Sequence, residues 1–158
     1  MIGKLPVSSR HSHSARSAIV ADEGESVWLY LTEAASSEGP PRPVADCWLY
    51  NRVDAPTVAQ VQARRDEYRA AGTPPPAPAE VMKPEARRAN SVDTGSVQLV
   101  WSDDGASVAA WVNGQLTGFI VDGERRGYSA NLVTACPWGQ PVDMERYKRF
   151  FDSHSLEP

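Results

Sequence analysis

Two loops of this sequence carry side chains that could bind a ligand or a partner. Arg125 and Arg126 lie just before Tyr128, and adjacent guanidinium groups beside an aromatic ring can hold an anion or stack on a flat ligand. Trp138 lies in a second loop, and an exposed tryptophan there would be a contact candidate for a protein partner. The alternatives are ordinary turn charges for the arginines and a tryptophan packed beneath the C-terminal helix. The predicted binding residues are therefore Arg125, Arg126, Tyr128 and Trp138.

Residue groups that could indicate catalysis or metal binding have simpler explanations. The segment 103–105, Asp-Asp-Gly, resembles the start of a calcium loop, but strand-forming residues follow it, so it predicts a turn. His11 and His13 lie in a serine-rich segment without a third ligand, and His154 lies near the other end. Phosphate-loop, dinucleotide-binding, HExxH and GxSxG motifs are absent from the sequence. The sequence predicts no catalytic residues, no cofactor and no metal.

The remaining ionisable and reactive side chains have structural interpretations. Asp22, Glu23 and Glu25 surround a glycine at the tip of an expected hairpin, where water would keep the carboxylates ionised. Cys47 and Cys136 lie too far apart for a CxxC motif and are expected to be small buried apolar residues. A long-range disulfide between these two cysteines stays open.

Composition indicates a single globular domain of 158 residues, because 41% of them are hydrophobic and 23% are charged. The net charge of −4 disfavours a nucleic-acid partner, which would need clustered positive charge. Residues 1–16 are polar and lack the apolar run of a signal peptide, so we expect a disordered arm and a cytoplasmic protein. No segment approaches the roughly 18 apolar residues that span a bilayer, so no membrane partner is expected.

The clearest structural signal lies in the second half of the chain. Asp104-Gly105 and Asn113-Gly114 each stand between apolar runs, and such dipeptides supply the positive φ angles that tight hairpin turns need. The pattern predicts a three-stranded antiparallel meander with strands over residues 96–101, 107–112 and 115–121.

The two turns also predict which side chains share a face of this meander. With two-residue loops, Trp101 lies opposite Val108, and Val108 lies opposite Phe119. The other face is mixed, with Ala109 opposite Gly118 at a flat centre that a helix could approach. The core face is expected to carry Val97, Leu99, Trp101, Val108, Ala110, Val112, Phe119 and Val121.

The first half of the chain predicts further strands over residues 18–21, 26–32 and 44–52. The run Trp28-Leu29-Tyr30 recurs as Trp48-Leu49-Tyr50, and strand alternation places the two aromatics of each run on one face. A homo-oligomer that forms through this aromatic face is a further possibility, on the condition that nothing else covers the face.

Two helices are predicted. The first covers residues 55–71, with Asp54 as its N-cap and Gly72 at its C-terminus. The second covers residues 142–153, and we expect Met144, Tyr147 and Phe151 to pack on the sheet beside Trp111 and Leu116. Five prolines between residues 73 and 95 favour an extended or polyproline II segment, either mobile or wrapped against the body through Val81 and Met82.

These elements predict an α+β fold, with a mainly antiparallel sheet of five or six strands and the C-terminal helix packed on it. Residues 17–158 form one domain, and residues 54–95 are a helix plus proline-rich insertion. The segments Trp-Ser-Asp-Asp-Gly at 101–105, Asn-Gly at 113–114 and Arg-Gly-Tyr at 126–128 resemble, in kind and order, those of a family of small bacterial domains of unknown function. The resemblance spans residues 17–138 without the insertion, and it implies a fold but no activity.

The missing catalytic groups, the small acidic body and the proline-rich segment predict a non-enzymatic protein-interaction module. Bacterial immunity proteins, which mask a toxin with complementary charge, offer an analogy. The alternative is a small-ligand binder or enzyme whose site lies at the end of the sheet, over residues 125–131, with Asn131 at its border. A deep pocket with a buried, pKa-shifted group there would favour this alternative, and a flat surface would disfavour it.

Overall fold

Within residues 6–33, 43–89 and 96–151, which the computed structural model describes, the chain forms two β-sheets and three α-helices. The α+β class is confirmed, although the strands number nine and divide into a four-stranded and a five-stranded sheet. No helix in these ranges is long and apolar enough to cross a membrane. The strands are β1 (Val7–Arg10), β2 (Ser17–Asp22), β3 (Ser26–Thr32), β4 (Pro43–Asn51), β5 (Val97–Trp101), β6 (Val108–Val112), β7 (Gln115–Ile120), β8 (Tyr128–Ser129) and β9 (Gln140–Pro141). The α-helices are α1 (Val58–Ala63), α2 (Arg65–Ala71) and α3 (Met144–Phe151), and 3₁₀ helices cover Ala79–Val81 and Pro84–Ala86.

The N-terminal sheet has the order β1-β2-β3-β4, and every neighbouring pair is antiparallel. The predicted acidic hairpin joins β2 to β3. Gly24 adopts a φ of 102° in its turn, and its amide donates to the Asp22 carboxylate at 2.9 Å. The turn therefore depends on one residue that tolerates positive φ and on one carboxylate that accepts the exposed amide.

The N-terminal segment is structured, contrary to the prediction of a disordered arm over residues 1–16. β1 pairs with β2 along its whole length, and His11 closes the connection because its Nδ1 accepts the Ser14 amide at 3.1 Å. The Trp101 indole of the other sheet donates to Ser9 Oγ at 2.9 Å. A tertiary hydrogen bond thus fixes a segment whose serine-rich composition favoured disorder. The first five residues of the predicted arm lie outside the described residues.

A β-bulge between β3 and β4 decides which aromatic side chains face inward. Trp28 pairs with Trp48, but Val27 pairs with Tyr50, so β4 contains one extra residue at this point. Trp28 and Tyr30 share the outer face as predicted. Tyr50 instead turns inward, and the prediction that it shares a face with Trp48 is wrong.

The C-terminal sheet has the order β5-β6-β7-β8-β9, and only its last pair is parallel. The predicted register of β5 with β6 is confirmed, with Trp101 opposite Val108. The Asn113-Gly114 turn is also present, with φ angles of 52° and 78°. Beyond that turn a bulge shifts the pairing by one residue, so that Val108 lies opposite Ile120 in place of Phe119.

The predicted core face is confirmed on β5 and β6 but wrong beyond this second bulge, because Phe119 and Val121 point to the opposite side of the sheet from Trp101. The shift also places Ala110, not Ala109, opposite Gly118. Gly118 faces the other sheet, where a Cβ atom would lie 2.5 Å from Leu49 Cδ2. Only glycine permits so close an approach of β7 to β4, and the sequence pattern of β7 alone does not reveal this contact.

The two sheets pack against each other around one apolar core, which we call the sandwich core. The Ser9–Trp101 hydrogen bond joins the sheets at one edge. At the other edge Cys47 Sγ lies 3.2 Å from the Tyr128 carbonyl oxygen. Full burial of a large apolar side chain stabilises the fold by about 1.5–3 kcal/mol. The sandwich core contains Ala18, Val20, Val27, Leu29, Leu31, Ala45, Cys47, Leu49, Tyr50, Val97, Val108, Ala110, Val112 and Ile120.

The C-terminal helix α3 packs on the outer face of the second sheet, as predicted. Tyr147 is buried there and meets Phe119 edge to face at 5.4 Å between ring centroids, and it meets Trp111 at 6.3 Å. Met144 is 48% exposed, contrary to the prediction that it packs on the sheet. The helix begins at Met144, so this residue lies at the outer end of the apolar stripe.

The predicted first helix is interrupted at Arg64, which separates α1 from α2. The N-cap is Thr57, which forms a capping box with Gln60, and not Asp54 as predicted. The Asp54 carboxylate instead accepts the Ala89 amide at 2.8 Å, so it joins the two ends of the described insertion. Gly72 ends α2 in the left-handed conformation, with a φ of 70°, as predicted.

The proline-rich segment wraps against the body. Ala77, Met82 and Ala86 are buried on the outer face of the N-terminal sheet, where they cover Trp28 and Trp48. The condition for a homo-oligomer through this aromatic face is therefore not met. The side chain of Asn51 connects the two layers, because it accepts the Ala77 amide at 2.9 Å and donates to the Ala77 carbonyl oxygen at 2.9 Å.

Candidate functional site

The structure does not bring the four predicted binding residues together. Arg125 and Arg126 extend the outer edge of β4, since the Asp46 amide donates to the Arg125 carbonyl oxygen at 3.0 Å and the Gly127 amide donates to the Asp46 carbonyl oxygen at 2.8 Å. A Cβ atom on Gly127 would lie 2.6 Å from the backbone oxygen of Phe119. The Arg-Arg-Gly motif thus closes the sheet edge, and both arginine side chains are exposed there.

Tyr128 has a packing role on the face that binds α3. It is buried and stacks on Phe119 with ring centroids 4.7 Å apart. Its hydroxyl donates to Glu124 Oε1 at 2.6 Å, and burial together with this carboxylate raises the pKa of Tyr128 to about 12. Arg146 of α3 pairs with the same carboxylate. Tyr128 is therefore inaccessible to a ligand at the sheet end.

At the predicted sheet-end site, Arg125 lines a small cavity of about 160 Å³. Arg16 also lines this cavity and donates to Asp122 at 2.8 Å. Asn131, at the border of the predicted site, donates to the Leu49 carbonyl oxygen at 2.7 Å. Asp46 is half-buried, and burial raises its pKa against the opposing charges of the two exposed arginines.

Trp138 lies far from its predicted alternative position beneath α3. It packs beside the buried Trp48 and Met82, and its indole Nε1 donates to the Pro75 carbonyl oxygen at 2.9 Å. The Trp48 amide donates to the Trp138 carbonyl oxygen at 3.2 Å, so the loop is fixed to β4 as well. Trp138 is thus fixed through both its indole and its backbone, and its side chain remains partly exposed.

The exposed part of Trp138 lines a cavity of about 340 Å³ between this loop and the helix pair α1–α2, which we call the Trp138 groove. Val61 and Tyr68 come from the helix pair, and Pro75 comes from the proline-rich segment. Polar side chains occupy the margins. The lining residues are Val61, Gln62, Arg65, Tyr68, Arg69, Thr73, Pro75 and Trp138.

Sequence analysis identified Trp138 but missed the helical wall of this groove. Val61 and Tyr68 are seven residues apart, a spacing that places them on one helix face. Such a spacing indicates packing surface, and both residues are indeed largely buried. The missing information is that a loop 70 residues further along the chain packs opposite this face, which periodicity cannot reveal.

A latch of charged side chains holds the helix pair on the sandwich. Arg64 donates to Glu25 Oε2 at 3.0 Å and to Glu67 Oε2 at 2.8 Å, and its guanidinium lies 4.7 Å from the Tyr68 ring centroid. The Tyr68 hydroxyl donates to Glu25 Oε1 at 3.0 Å. Hydrogen bonds from Arg64 and Tyr68 outweigh desolvation and hold the pKa of Glu25 below its usual value. The prediction that the acidic turn is only solvated is therefore wrong for Glu25.

Arg65 and Arg69 differ from Arg64 in their surroundings. They lie four residues apart on α2, both are exposed, and both line the Trp138 groove. Neither side chain forms an ion pair or a hydrogen bond with any residue in the described ranges. A guanidinium can bind a carboxylate through two parallel hydrogen bonds, so this rim can accept anionic side chains.

Other reactive groups do not form a second site in the described part of the chain. Cys47 and Cys136 are both free, which answers the question of their pairing, and burial strongly raises the pKa of the Cys47 thiol. His11 accepts two backbone amides and packs edge to face on Trp101. Residues 6–33, 43–89 and 96–151 contain no cluster of three His, Cys, Asp or Glu side chains that could hold a metal ion. His154 lies outside the described residues.

Comparisons of this chain with protein-family models, curated proteins and solved structures found no match. The resemblance to small bacterial domains carried by the segments at 101–105, 113–114 and 126–128 stays a prediction. The structure explains the segments themselves as two hairpin turns and a closed sheet edge. The Trp138 groove lies outside all three.

Proposed function

We propose that this protein is a non-enzymatic protein-interaction module that holds an apolar side chain of a partner protein in the Trp138 groove. The observation that supports the proposal is the composition of the groove, where Trp138 and Tyr68 lie beside Arg65 and Arg69. Tryptophan, tyrosine and arginine are the residue types that contribute most to binding energy at protein interfaces. The groove volume, about 340 Å³, leaves room for a large side chain.

Preorganisation of the groove also supports the proposal. The Trp138 ring is fixed by its hydrogen bond to the Pro75 carbonyl oxygen, and the Tyr68 ring is fixed by the Glu25 and Arg64 contacts. Side chains that are already ordered lose little conformational entropy when a partner binds. A partner would therefore gain contact area here at a low entropic cost.

The alternative, a small-ligand binder or enzyme at the sheet end, has less support. The opening there is less than half the volume of the Trp138 groove, and Arg16 within it is already paired. The half-buried Asp46, with its raised pKa, is the single feature that favours the alternative. The analogy with immunity proteins rests on the acidic overall charge, whereas the groove rim is basic.

The test is to fill the groove without disturbing its walls. Gln62 is exposed at the margin, and Gln62→Trp would place a bulky ring over the cavity. Gln98→Trp, at an exposed position on β5, is the matched control. A partner captured from native lysate is identified and purified, and its affinity for the three proteins is then measured by calorimetry.

We expect Gln62→Trp to weaken binding of the purified partner by about tenfold or more, and we expect Gln98→Trp to leave binding unchanged. A partner that binds both variants with the affinity of the wild type would use another surface, and the proposal would be wrong. Catalytic turnover of a small molecule that depends on Asp46 would favour the alternative.

A further inference from the structure

The rim of the Trp138 groove carries positive charge that the described part of the molecule does not neutralise. Arg64 is engaged by Glu25 and Glu67, and Arg87 donates to the Ala79 carbonyl oxygen at 3.0 Å. Arg65 and Arg69 have no such partner in residues 6–33, 43–89 and 96–151. The rim is thus locally basic, although acidic residues outnumber basic ones by 20 to 16 in this chain.

The two arginines are also placed so that they can act together. They are four residues apart on α2, which puts them one turn apart on the same face of the helix. Glu67 belongs to the pair with Arg64, and Asp66 does not line the groove. The cavity therefore presents an apolar floor of Val61 and Pro75 with cationic groups along one side.

We infer that the segment bound in this groove is an acidic amphipathic segment of the partner protein. A large apolar side chain enters the cavity, and carboxylates one helical turn apart meet Arg65 and Arg69. The inference rests on the proposed function and adds to it the charge and pattern of the partner. Complementary charge increases both the association rate and the specificity of such a contact.

A nucleic acid fits the same rim less well. A phosphate backbone requires a series of basic groups along its path and aromatic rings on which successive bases stack. Here two arginines flank a single cavity and form no series along a path, and the net charge of −4 opposes a polyanion. A short peptide with a few carboxylates next to an apolar residue matches the groove in both chemistry and extent.

The probe is a fluorescein-labelled helical peptide of about 14 residues with leucine and tryptophan on one face and glutamates beside them. A second peptide is identical except that every glutamate is replaced by lysine. Binding of both is measured by fluorescence anisotropy for the wild type, for Arg65→Glu/Arg69→Glu and for Arg88→Glu/Arg149→Glu. The last variant changes the net charge equally at two exposed arginines that do not line the groove.

We expect the wild type to bind the glutamate peptide about tenfold or more tightly than the lysine peptide. Arg65→Glu/Arg69→Glu should reverse this preference, and Arg88→Glu/Arg149→Glu should retain it. Raising the salt concentration from about 0.05 M to about 0.5 M should weaken binding of the glutamate peptide more than binding of the lysine peptide, because screening removes the attraction between opposite charges. Gln62→Trp should weaken binding of both peptides.

The outcomes separate this inference from the proposed function. Equal affinity for the two peptides, or no binding of either, would overturn the inference that the groove binds an acidic segment. The interaction module would then still stand if Gln62→Trp abolishes binding of the purified partner while Arg65→Glu/Arg69→Glu does not. A single-stranded oligonucleotide that binds more tightly than the glutamate peptide, and that requires Arg65 and Arg69, would also overturn the inference, in favour of a nucleic acid.

Discussion

The sandwich core and the proline-rich insertion both bury large apolar side chains, but different forces hold them. Leu29 and Leu49 are fully buried among side chains of two sheets, and their packing is distributed over many neighbours. Met82 is equally buried, but it packs on the outer face of the N-terminal sheet, against Trp28 and Trp48. The insertion, residues 54–89 in the structure, depends in addition on a few directional contacts, among them those of the Asn51 amide and the Glu25 latch.

Because of this difference, we expect the insertion to have a lower local stability than the sandwich. Dispersed apolar packing fails only when the whole body unfolds, whereas a few directional contacts can open locally. The Trp138 groove lies between the two regions, since the helix pair forms one wall and the Trp138 loop, fixed to β4, forms the other. We therefore expect changes in the insertion to alter the groove without unfolding the sandwich.

The largest effect should come from the sandwich core. Leu29→Ala leaves a cavity between the sheets and should lower the free energy of unfolding by about 3 kcal/mol, as such truncations do in cores. Urea denaturation followed by far-UV circular dichroism measures the loss. Val44→Ala, at a position on β4 that is 37% exposed, is the control and should cost less than about 1 kcal/mol. Equal losses for the two variants would contradict a core centred on Leu29.

The second effect concerns attachment of the insertion. Asn51→Ala removes the acceptor of the Trp48 indole and of the Ala77 amide, and it leaves the Ala77 carbonyl oxygen unpaired. Each buried polar group without a partner costs about 1–3 kcal/mol. The free energy needed to release the insertion from the N-terminal sheet should therefore fall. Hydrogen exchange should show protection lost over residues 77–89 while β5 and β6 stay protected.

Thr32→Ala is the control, because it removes one side-chain hydrogen bond to a carbonyl oxygen, that of Ser17, outside the insertion. Simultaneous loss of protection in the insertion and in both sheets of Asn51→Ala would show that the two regions unfold as one unit. The comparison between them would then be wrong.

A smaller effect is expected from the latch. Glu25→Gln keeps the size of the side chain but removes its charge, which weakens the contacts with Arg64 and Tyr68. The pair is partly solvated, so amide exchange in α1 and α2 should accelerate by only about two- to fivefold. Glu85→Gln, at an exposed position of the same insertion, should leave these rates unchanged. Unaltered exchange in Glu25→Gln would mean that apolar contacts alone hold the helix pair.

The latch also predicts a dependence on pH. The folded state lowers the pKa of Glu25, so the stabilisation is fully present above its ordinary value of 4.5 and is lost as the pH falls through the lower folded value. Exchange in α1 and α2, corrected for its intrinsic pH dependence, should rise on acidification in the wild type. In Glu25→Gln this rise should be smaller, and an identical rise would assign it to another carboxylate.

The smallest effect tests the helix on the other face. Met144→Gln should change the free energy of unfolding by less than about 0.5 kcal/mol, because Met144 is exposed. Tyr147→Ala, one turn further along α3, should cost about 3 kcal/mol, because it removes ring contacts with Phe119 and Phe151. Thermal unfolding of both variants measures the difference, and a large loss for Met144→Gln would contradict the observed orientation of α3.

Much of the local structure follows from short-range chemistry. Asn113-Gly114 predicted its turn and the first pair beyond it, because the required φ angles are a property of those two residues. Gly72 likewise predicted the end of a helix. The register beyond the turns failed at Thr117, where β7 gains an extra residue, because the bulge responds to contacts with β4.

The candidate site was less accessible to sequence reasoning. Trp138 could be selected by residue type, but the Arg125–Tyr128 segment was selected by the same reasoning and closes a sheet edge instead. Solvent exposure decides between such candidates, and exposure depends on packing between segments far apart in sequence. The helical wall of the groove escaped prediction for that reason.

The sequence by itself determined the strands around the glycine turns, the helix stripes and the α+β class, since these depend on dihedral preferences and on alternation over a few residues. Only the tertiary structure decided that the strands form two sheets, that Phe119 turns away from Trp101 and that Arg64 pairs with Glu25 of a distant hairpin. These outcomes depend on contacts between segments that are far apart in the sequence. Such contacts leave no periodic pattern in either segment, so the sequence of one segment does not reveal them.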